Sequence, residues 1–170
     1  MRKTSLLLFS LLLVGLVAGP ATARSNAPGN APGHAHGASD PSLGAQLAAV
    51  RAATARYHDV TVALEDDYVP ATPCVVHPDL GTMGYHYVNL ELLGLSGDDL
   101  DPTRPQALLY IPDPDIGLRL VGVEYLSTDA DETMFGQPFQ PGPAGPALHV
   151  WVWANNPAGM FADYNPSISC

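Results

Sequence analysis

Basic residues are scarce in this chain, whereas acidic residues are common. Beyond residue 23 there is no lysine, and five arginines stand against 17 aspartates and glutamates, which gives a formal charge of −12. A chain this acidic is repelled by nucleic acid and by anionic lipid. We therefore expect no nucleic-acid partner and a well-solvated acidic surface.

Familiar catalytic signatures are absent as well. The sequence contains no G-x-S-x-G nucleophile elbow, no phosphate-binding P-loop and no dinucleotide fingerprint. After the N-terminal apolar run at residues 6–17, no stretch approaches the roughly 20 apolar residues that a membrane-spanning helix needs. These absences remove the usual sequence grounds for a hydrolase, a nucleotide-binding protein or a membrane span, and they leave open whether the protein is an enzyme.

The N-terminus has the pattern of a secretory signal peptide. Met1-Arg2-Lys3 is basic, residues 6–17 are apolar, and Ala21-Thr22-Ala23 is a small-x-small cleavage site. We expect cleavage after Ala23 and a secreted protein, either extracellular or periplasmic. An uncleaved anchor is the alternative.

Cysteine is limited to Cys74 and Cys170, and neither has a partner at C-x-x-C spacing. In an exported chain two such residues can form a lasting disulfide. We predict this bridge, with a pair of soft metal ligands as the alternative.

Residues 24–39 are predicted to be a flexible leader. They are mostly Ala, Pro, Gly, Asn and His, with no large apolar side chain to bury. His34 and His36 in this leader can hold a zinc or copper ion only weakly. Residues 40–170 are predicted to form a single domain.

The start of that domain has a helical pattern. Asp40-Pro41-Ser42 is a typical helix start, and Pro70 ends the pattern. Between them, positions spaced by three and four residues form one apolar or partly apolar stripe: Leu43, Leu47, Val50, Thr54, Tyr57, Leu64 and Tyr68. The spacing predicts one long amphipathic helix.

Short apolar runs separated by Pro, Gly and Asp follow the helix. They predict strands at residues 75–76, 85–92, 107–111, 118–126 and 147–154, with a hairpin turn at residues 112–117. Consecutive strands favour antiparallel pairing. The predicted fold is therefore α+β, with the long N-terminal helix packed on a curved antiparallel sheet or a small barrel closed by one disulfide.

Three polar residues occupy the middle of predicted strands. His86 alternates with apolar residues on one face, and Glu124 and His149 lie mid-strand in two later runs. A buried carboxylate needs a partner, a metal ion or a raised pKa. Two histidines and one carboxylate can hold zinc, copper or non-haem iron. We predict a metal site here, with His77 as a fourth ligand.

Two other functions remain open. One is a small-molecule pocket lined by Tyr87, Trp151 and Phe135 and gated by residues 127–146, a loop long enough to act as a lid or simply to cover its own aromatic residues. The other is a structural or interaction module whose three polar residues only fix the strand register. In that case Glu124 and a histidine hydrogen-bond each other, or His149 caps a backbone carbonyl or stacks on Trp151.

Several segments resemble an uncharacterised family of secreted bacterial proteins, often actinobacterial. The similar segments are residues 81–89 (GTMGYHYVN), 101–110 (DPTRPQALLY), 120–125 (LVGVEY), 135–139 (FGQPF) and the stretch from His149 through NPAGMF to Cys170. The resemblance covers roughly residues 55–170. It assigns no catalytic residues and implies a self-standing exported module.

Overall fold

Strands dominate the computed structural model of the protein, which describes residues 41–170. Within these residues the strands are β1 (Tyr68–Pro70), β2 (Val75–His77), β3 (Gly81–Asn89), β4 (Ala107–Asp113), β5 (Gly117–Leu126), β6 (Thr133–Met134), β7 (Gln137–Pro138), β8 (Gln140–Gly142) and β9 (Gly145–Val150). The predicted signal peptide and leader lie outside the described residues.

Seven of these strands form one antiparallel sheet. Its order is β1-β3-β4-β5-β9-β8, and β2 also pairs with β3. Strands β6 and β7 form a separate two-stranded sheet. The sheet is open, with β8 at one edge and β1 and β2 at the other, so it is not a small barrel. The predicted hairpin is confirmed, since β4 and β5 pair as far as Asp113 and Gly117.

The prediction of an α+β fold with a long N-terminal helix is wrong. Helix α1 covers Leu43–Thr54, only 12 residues, and one 3-10 turn follows at Ala55–His58. A separate helix, α2, covers the six residues Val60–Glu65. With so little helix beside a seven-stranded sheet, the described part of the chain is mostly β.

Asp59 explains why the predicted helix stops early. Its backbone is extended (φ −90°, ψ 108°), and its carboxylate accepts hydrogen bonds from the backbone N–H and the hydroxyl of Thr61. Asp59 therefore caps α2 instead of continuing α1, because a short acidic side chain competes for nearby backbone N–H groups. The apolar stripe predicts the helix correctly as far as Thr54 and misleads beyond it.

The sheet buries a different cluster on each face. The larger core includes Leu47 and Val50 of α1 and the sheet residue Leu108. The smaller cluster, on the opposite face, consists of Leu109, Ile111, Val121 and Trp151. We call the face that carries this smaller cluster the site face. His86 belongs to it, because His86 pairs with Leu109 and directly opposed residues of paired strands share a face.

A β-bulge in β5 shifts the alternation of its side chains. Tyr110 pairs with Leu120, but its neighbour Leu109 pairs with Gly122, so Val121 is an extra residue opposite β4. Accordingly Leu120 packs in the larger core and Val121 in the smaller cluster. Simple alternation counted from Leu120 would place the rest of β5 on the wrong face.

The C-terminal segment, residues 155–170, packs against the site face. Trp151 Nε1 donates a hydrogen bond of 2.6 Å to the carbonyl of Ala162. The backbones of Asn165 and Thr82 exchange two hydrogen bonds of 3.0 and 3.1 Å. These contacts hold the segment in place along much of its length.

The predicted disulfide between Cys74 and Cys170 is present, with the two Cα atoms 6.3 Å apart. It is consistent with an oxidising extracellular compartment. Among residues 41–170, no helix is long and apolar enough to cross a membrane.

Candidate metal centre

Three strands bring the predicted polar residues together. His86 lies on β3, Glu124 on β5 and His149 on β9, and all three are buried. Glu124 and His149 are directly opposed in the register of β5 and β9. One potential ligand atom from each residue lies within 4.8 Å of the other two. The structure thus forms the predicted His/Glu/His group.

Two small residues lie beside this group. Ala107 of β4 pairs with both Val88 and Glu124, so Glu124 has a single methyl group opposite it, whereas Leu109 is the β4 residue that pairs with His86. At Gly122, a Cβ atom would lie 3.0 Å from the carbonyl oxygen of Val150 and 3.3 Å from Trp151. Glycine is therefore needed for β5 to pack closely beside Trp151.

The separations within the group are too long for hydrogen bonds. Glu124 Oε2 lies 3.6 Å from His86 Nε2, and Glu124 Oε1 lies 3.6 Å from His149 Nε2. An N–H···O hydrogen bond is normally about 2.7–3.2 Å long. Within residues 41–170 no hydrogen bond joins either histidine to Glu124, so the group is not a closed hydrogen-bonded network.

His149 is the most isolated of the three side chains. Only 4% of its side chain is exposed, and neither ring nitrogen has a hydrogen-bond partner among the described residues. A buried polar atom left unpaired costs about 1–3 kcal/mol. Such atoms are rare in folded proteins and call for an explanation such as a bound ion or water. His149 is thus the feature that most needs a ligand.

Thr72 contacts the Nδ1 side of the His86 ring. The hydroxyl oxygen of Thr72 lies 3.1 Å from His86 Nδ1, and it also accepts the backbone N–H of His86 at 3.1 Å. Nε2 of His86 therefore points toward Glu124. Burial lowers the pKa of His86, an effect that Glu124 opposes and His149 adds to. The neutral imidazole favoured by this shift is the form that binds metals.

The lowered pKa of His86 predicts a loss of stability in acid. In the metal-free protein, folded His86 stays neutral at a pH where the unfolded residue, with its ordinary pKa of 6.5, takes up a proton. The stabilisation is therefore present above pH 6.5 and is lost as the pH falls through the folded pKa. Urea unfolding with a chelator present, between about pH 5 and pH 8, should show a steeper pH dependence for the wild type than for His86→Gln. Identical slopes would contradict the prediction.

Two polar contacts of the group come from irregular segments that carry no sequence signal. Thr72 follows β1 in a bend, and Asp163 lies in the C-terminal segment with Oδ1 3.6 Å from His149 Nδ1. Neither residue belongs to a periodic pattern or a ligand motif. Only the folded chain shows that they approach the two histidines.

His77 is not brought into the group of three. It ends β2, and its Nδ1 accepts the backbone N–H groups of Asp79 and Leu80 at 3.1 and 3.2 Å. Its ring packs beside Tyr164, with the ring centres 5.4 Å apart. This environment suits a turn-stabilising histidine.

The three aromatic residues predicted to line a small-molecule pocket do not share one cavity. Phe135 belongs to the larger core and stacks on Phe161, and Tyr87 packs against the same core beside Tyr110. Trp151 belongs to the smaller cluster and borders a surface cleft of about 360 Å³. Neither Tyr87 nor Phe135 lines that cleft. The gated pocket stays a prediction that no feature of the described residues favours.

No family model, curated protein sequence or solved structure matches the chain. The resemblance to a family of secreted bacterial proteins therefore stays a prediction, and function has to be argued from the site.

Proposed function

We propose that this is an exported protein that binds one divalent transition-metal ion, zinc or copper, through His86, Glu124 and His149. The observation that carries the proposal is the pair of buried, unpartnered ring nitrogens of His149. A metal ion bound to Nε2 would supply one missing partner. It would also explain why a carboxylate and two imidazoles face one another without forming hydrogen bonds.

The distances support a shared ion. Zinc–nitrogen and zinc–oxygen bonds of about 2.0–2.1 Å at a tetrahedral ion place neighbouring ligand atoms about 3.3–3.4 Å apart. The two separations from Glu124 to the histidines are 3.6 Å, slightly longer than this spacing. These two contacts run to different carboxylate oxygens, and the three donor atoms lie within 4.8 Å of one another. Side-chain movements of about 1 Å would therefore bring all three to these bond lengths.

The chemistry of the ligands fits the same ions. Neutral imidazole nitrogens suit zinc and copper, and a carboxylate adds a negative charge that offsets part of the charge of a divalent ion. Three protein ligands leave one position of a four-coordinate ion for water or a small ligand. About a tenth of the side-chain surface of His86 and of Glu124 is exposed. An exchangeable ligand would therefore approach from the side of these two residues.

The structural alternative makes a different prediction about contacts. Residues that only fix the strand register would be expected to hydrogen-bond one another, because a buried polar network stabilises a protein only when its members are satisfied. The separations of 3.6 Å and the unpartnered nitrogens of His149 do not fit that expectation. We therefore favour the metal site.

Equilibrium dialysis against Zn²⁺ and Cu²⁺, followed by metal analysis, tests the proposal. The parent protein should carry His34→Ala and His36→Ala, so that the leader cannot contribute ligands. We expect one equivalent of metal in this parent and far less than one in His86→Gln or His149→Gln, because either change removes a ligand from a three-ligand site.

His77→Gln is the matched control, since it removes a histidine outside the group. It should keep one equivalent of metal. A parent protein that binds less than stoichiometric metal, with the same content after His86→Gln, would refute the proposal. Loss of metal in His77→Gln alone would place the site elsewhere.

A further inference from the structure

A metal ion at Nε2 of His149 satisfies only one of its two ring nitrogens. Nδ1 points away from Glu124 and is also buried without a hydrogen-bond partner among residues 41–170. The carboxylate of Asp163 lies beside this nitrogen, with Oδ1 at 3.6 Å. A metal ion at Nε2 therefore still leaves Nδ1 in need of a hydrogen-bond partner.

Asp163 has no competing partner among the described residues. No hydrogen bond or arginine contact within residues 41–170 involves its carboxylate, and 42% of its side chain is exposed. Its neighbours in the chain are held on both sides. Ala162 accepts the indole N–H of Trp151 at 2.6 Å, and Asn165 is paired with Thr82. The C-terminal segment thus keeps this carboxylate beside His149.

We propose that Asp163 is a positioning residue of the metal centre, acting through His149. When Nε2 binds the ion, the carboxylate moves from 3.6 Å to hydrogen-bond distance and accepts the Nδ1–H of His149, which fixes both the tautomer and the orientation of the ring. This inference rests on the proposed function. It is supported by a general property of metal-binding histidines, whose second nitrogen usually donates to a carboxylate, a carbonyl or water.

Asp163 also completes the charge balance of the site. Glu124 and Asp163 carry one negative charge each, and the two imidazoles are neutral when they bind a metal. A divalent ion would make this group neutral, whereas a monovalent ion would leave a net negative charge beside a buried ring. The arrangement therefore favours Zn²⁺ or Cu²⁺ over Cu⁺.

The two histidines differ in the group that lies beside Nδ1. For His86 this group is the uncharged hydroxyl of Thr72, whereas for His149 it is the carboxylate of Asp163. A carboxylate partner makes the imidazole a stronger donor to the metal. His149 should therefore be the more tightly held ligand, and its environment should respond most to changes at Asp163.

The experiment compares Zn²⁺ affinity in Asp163→Ala and Asp163→Asn by competition with a chromogenic chelator, in the full mature chain. Removing this kind of partner typically weakens metal binding by about 10–100-fold. We expect a loss in this range for Asp163→Ala. A smaller loss is expected for Asp163→Asn, because the amide oxygen can still accept the Nδ1–H but carries no charge.

Asp115→Ala is the matched control. Asp115 is an exposed residue in the turn between β4 and β5, so its removal changes the net charge equally without touching the centre. Its affinity should stay within about twofold of the wild type, since distant surface charges are screened by salt. Thermal unfolding of each variant verifies that it is folded.

Nitrogen-15 NMR of the histidine rings supplies a readout that a merely structural role would not change. In the zinc-loaded wild type, His149 should have a protonated Nδ1 whose proton exchanges slowly, and this signal should shift or disappear in Asp163→Ala. If Asp163→Ala binds Zn²⁺ as tightly as the wild type, or if Nδ1 is the metal-bound nitrogen, the role of Asp163 is refuted while the metal site stands. A wild type that binds no zinc would refute both proposals.

Discussion

Replacing Glu124 with glutamine is expected to abolish tight metal binding without weakening the fold. The glutamine side chain has nearly the same shape but lacks the negative charge that a metal ligand needs here. We expect Zn²⁺ affinity to fall by at least about 100-fold, the upper end of the losses seen when outer partners of metal ligands are removed. Competition with a chromogenic chelator measures this change.

The same substitution should leave the stability of the metal-free protein unchanged or raise it, although metal affinity falls. Glu124 is buried and accepts no hydrogen bond within the described residues, so its charge is a cost to the metal-free protein. The unfolding free energy of Glu124→Gln, measured in urea with a chelator present, should equal that of the wild type or exceed it by about 1–2 kcal/mol. This combination is typical of a binding site whose residues are placed for a ligand at the expense of stability.

Glu132→Gln is the matched control for a carboxylate with a structural role. The carboxylate of Glu132 accepts the backbone N–H of Gly97 at 2.6 Å and the hydroxyl of Ser127 at 3.1 Å. Its replacement should lower the unfolding free energy by about 1–3 kcal/mol and leave metal affinity unchanged. If Glu124→Gln behaved like this control, the group of three would be a structural network.

Removing the disulfide is expected to cause the largest loss of stability. Cys74 and Cys170 are 96 residues apart in sequence. Opening a loop of that length increases the entropy of the unfolded chain and corresponds to about 4–5 kcal/mol at 25 °C. The double variant Cys74→Ser/Cys170→Ser should therefore lose a large part of the 5–15 kcal/mol that is typical of a folded domain.

The same variant should also bind metal less tightly. Thr72 lies two residues before Cys74, and Asp163 lies seven residues before Cys170. The bridge therefore joins the two segments that place polar partners behind His86 and His149. Urea unfolding and chelator competition measure the two effects separately. A stability loss below about 1 kcal/mol would contradict the loop-entropy prediction.

The candidate group could be predicted from the sequence because it lies in regular strands. Burial along β3 alternates strictly from Gly81 to Asn89, so the position of His86 among apolar residues identifies its face. Glu124 and His149 are also in strands, and their direct pairing follows once β5 and β9 are neighbours. A period of two residues is a reliable guide wherever the backbone stays extended.

The features that could not be predicted depend on local departures from such periods. The break at Asp59 depends on a single side chain capping a second helix. The bulge at Val121 adds one residue to β5 without any change in hydrophobicity. The short strands β1, β6, β7 and β8 have only two or three residues each, too few to establish a pattern.

The polar partners of the histidines were beyond prediction for a related reason. Thr72 and Asp163 approach the centre from irregular segments whose path is set by contacts distant in sequence, including the disulfide and the pairing of Asn165 with Thr82. Nothing in the local sequence around either residue indicates a ligand environment. Their role becomes visible only when the chain is folded.

Anomalous X-ray diffraction at the zinc edge, from crystals of the zinc-loaded protein, tests the central claim most directly. We predict one strong peak within about 2.0–2.2 Å of His86 Nε2, His149 Nε2 and a carboxylate oxygen of Glu124. The peak should be absent in crystals of Glu124→Gln grown in the same way. A structure with zinc only at surface carboxylates, or with direct hydrogen bonds joining Glu124 to both histidines and no metal between them, would contradict the metal site.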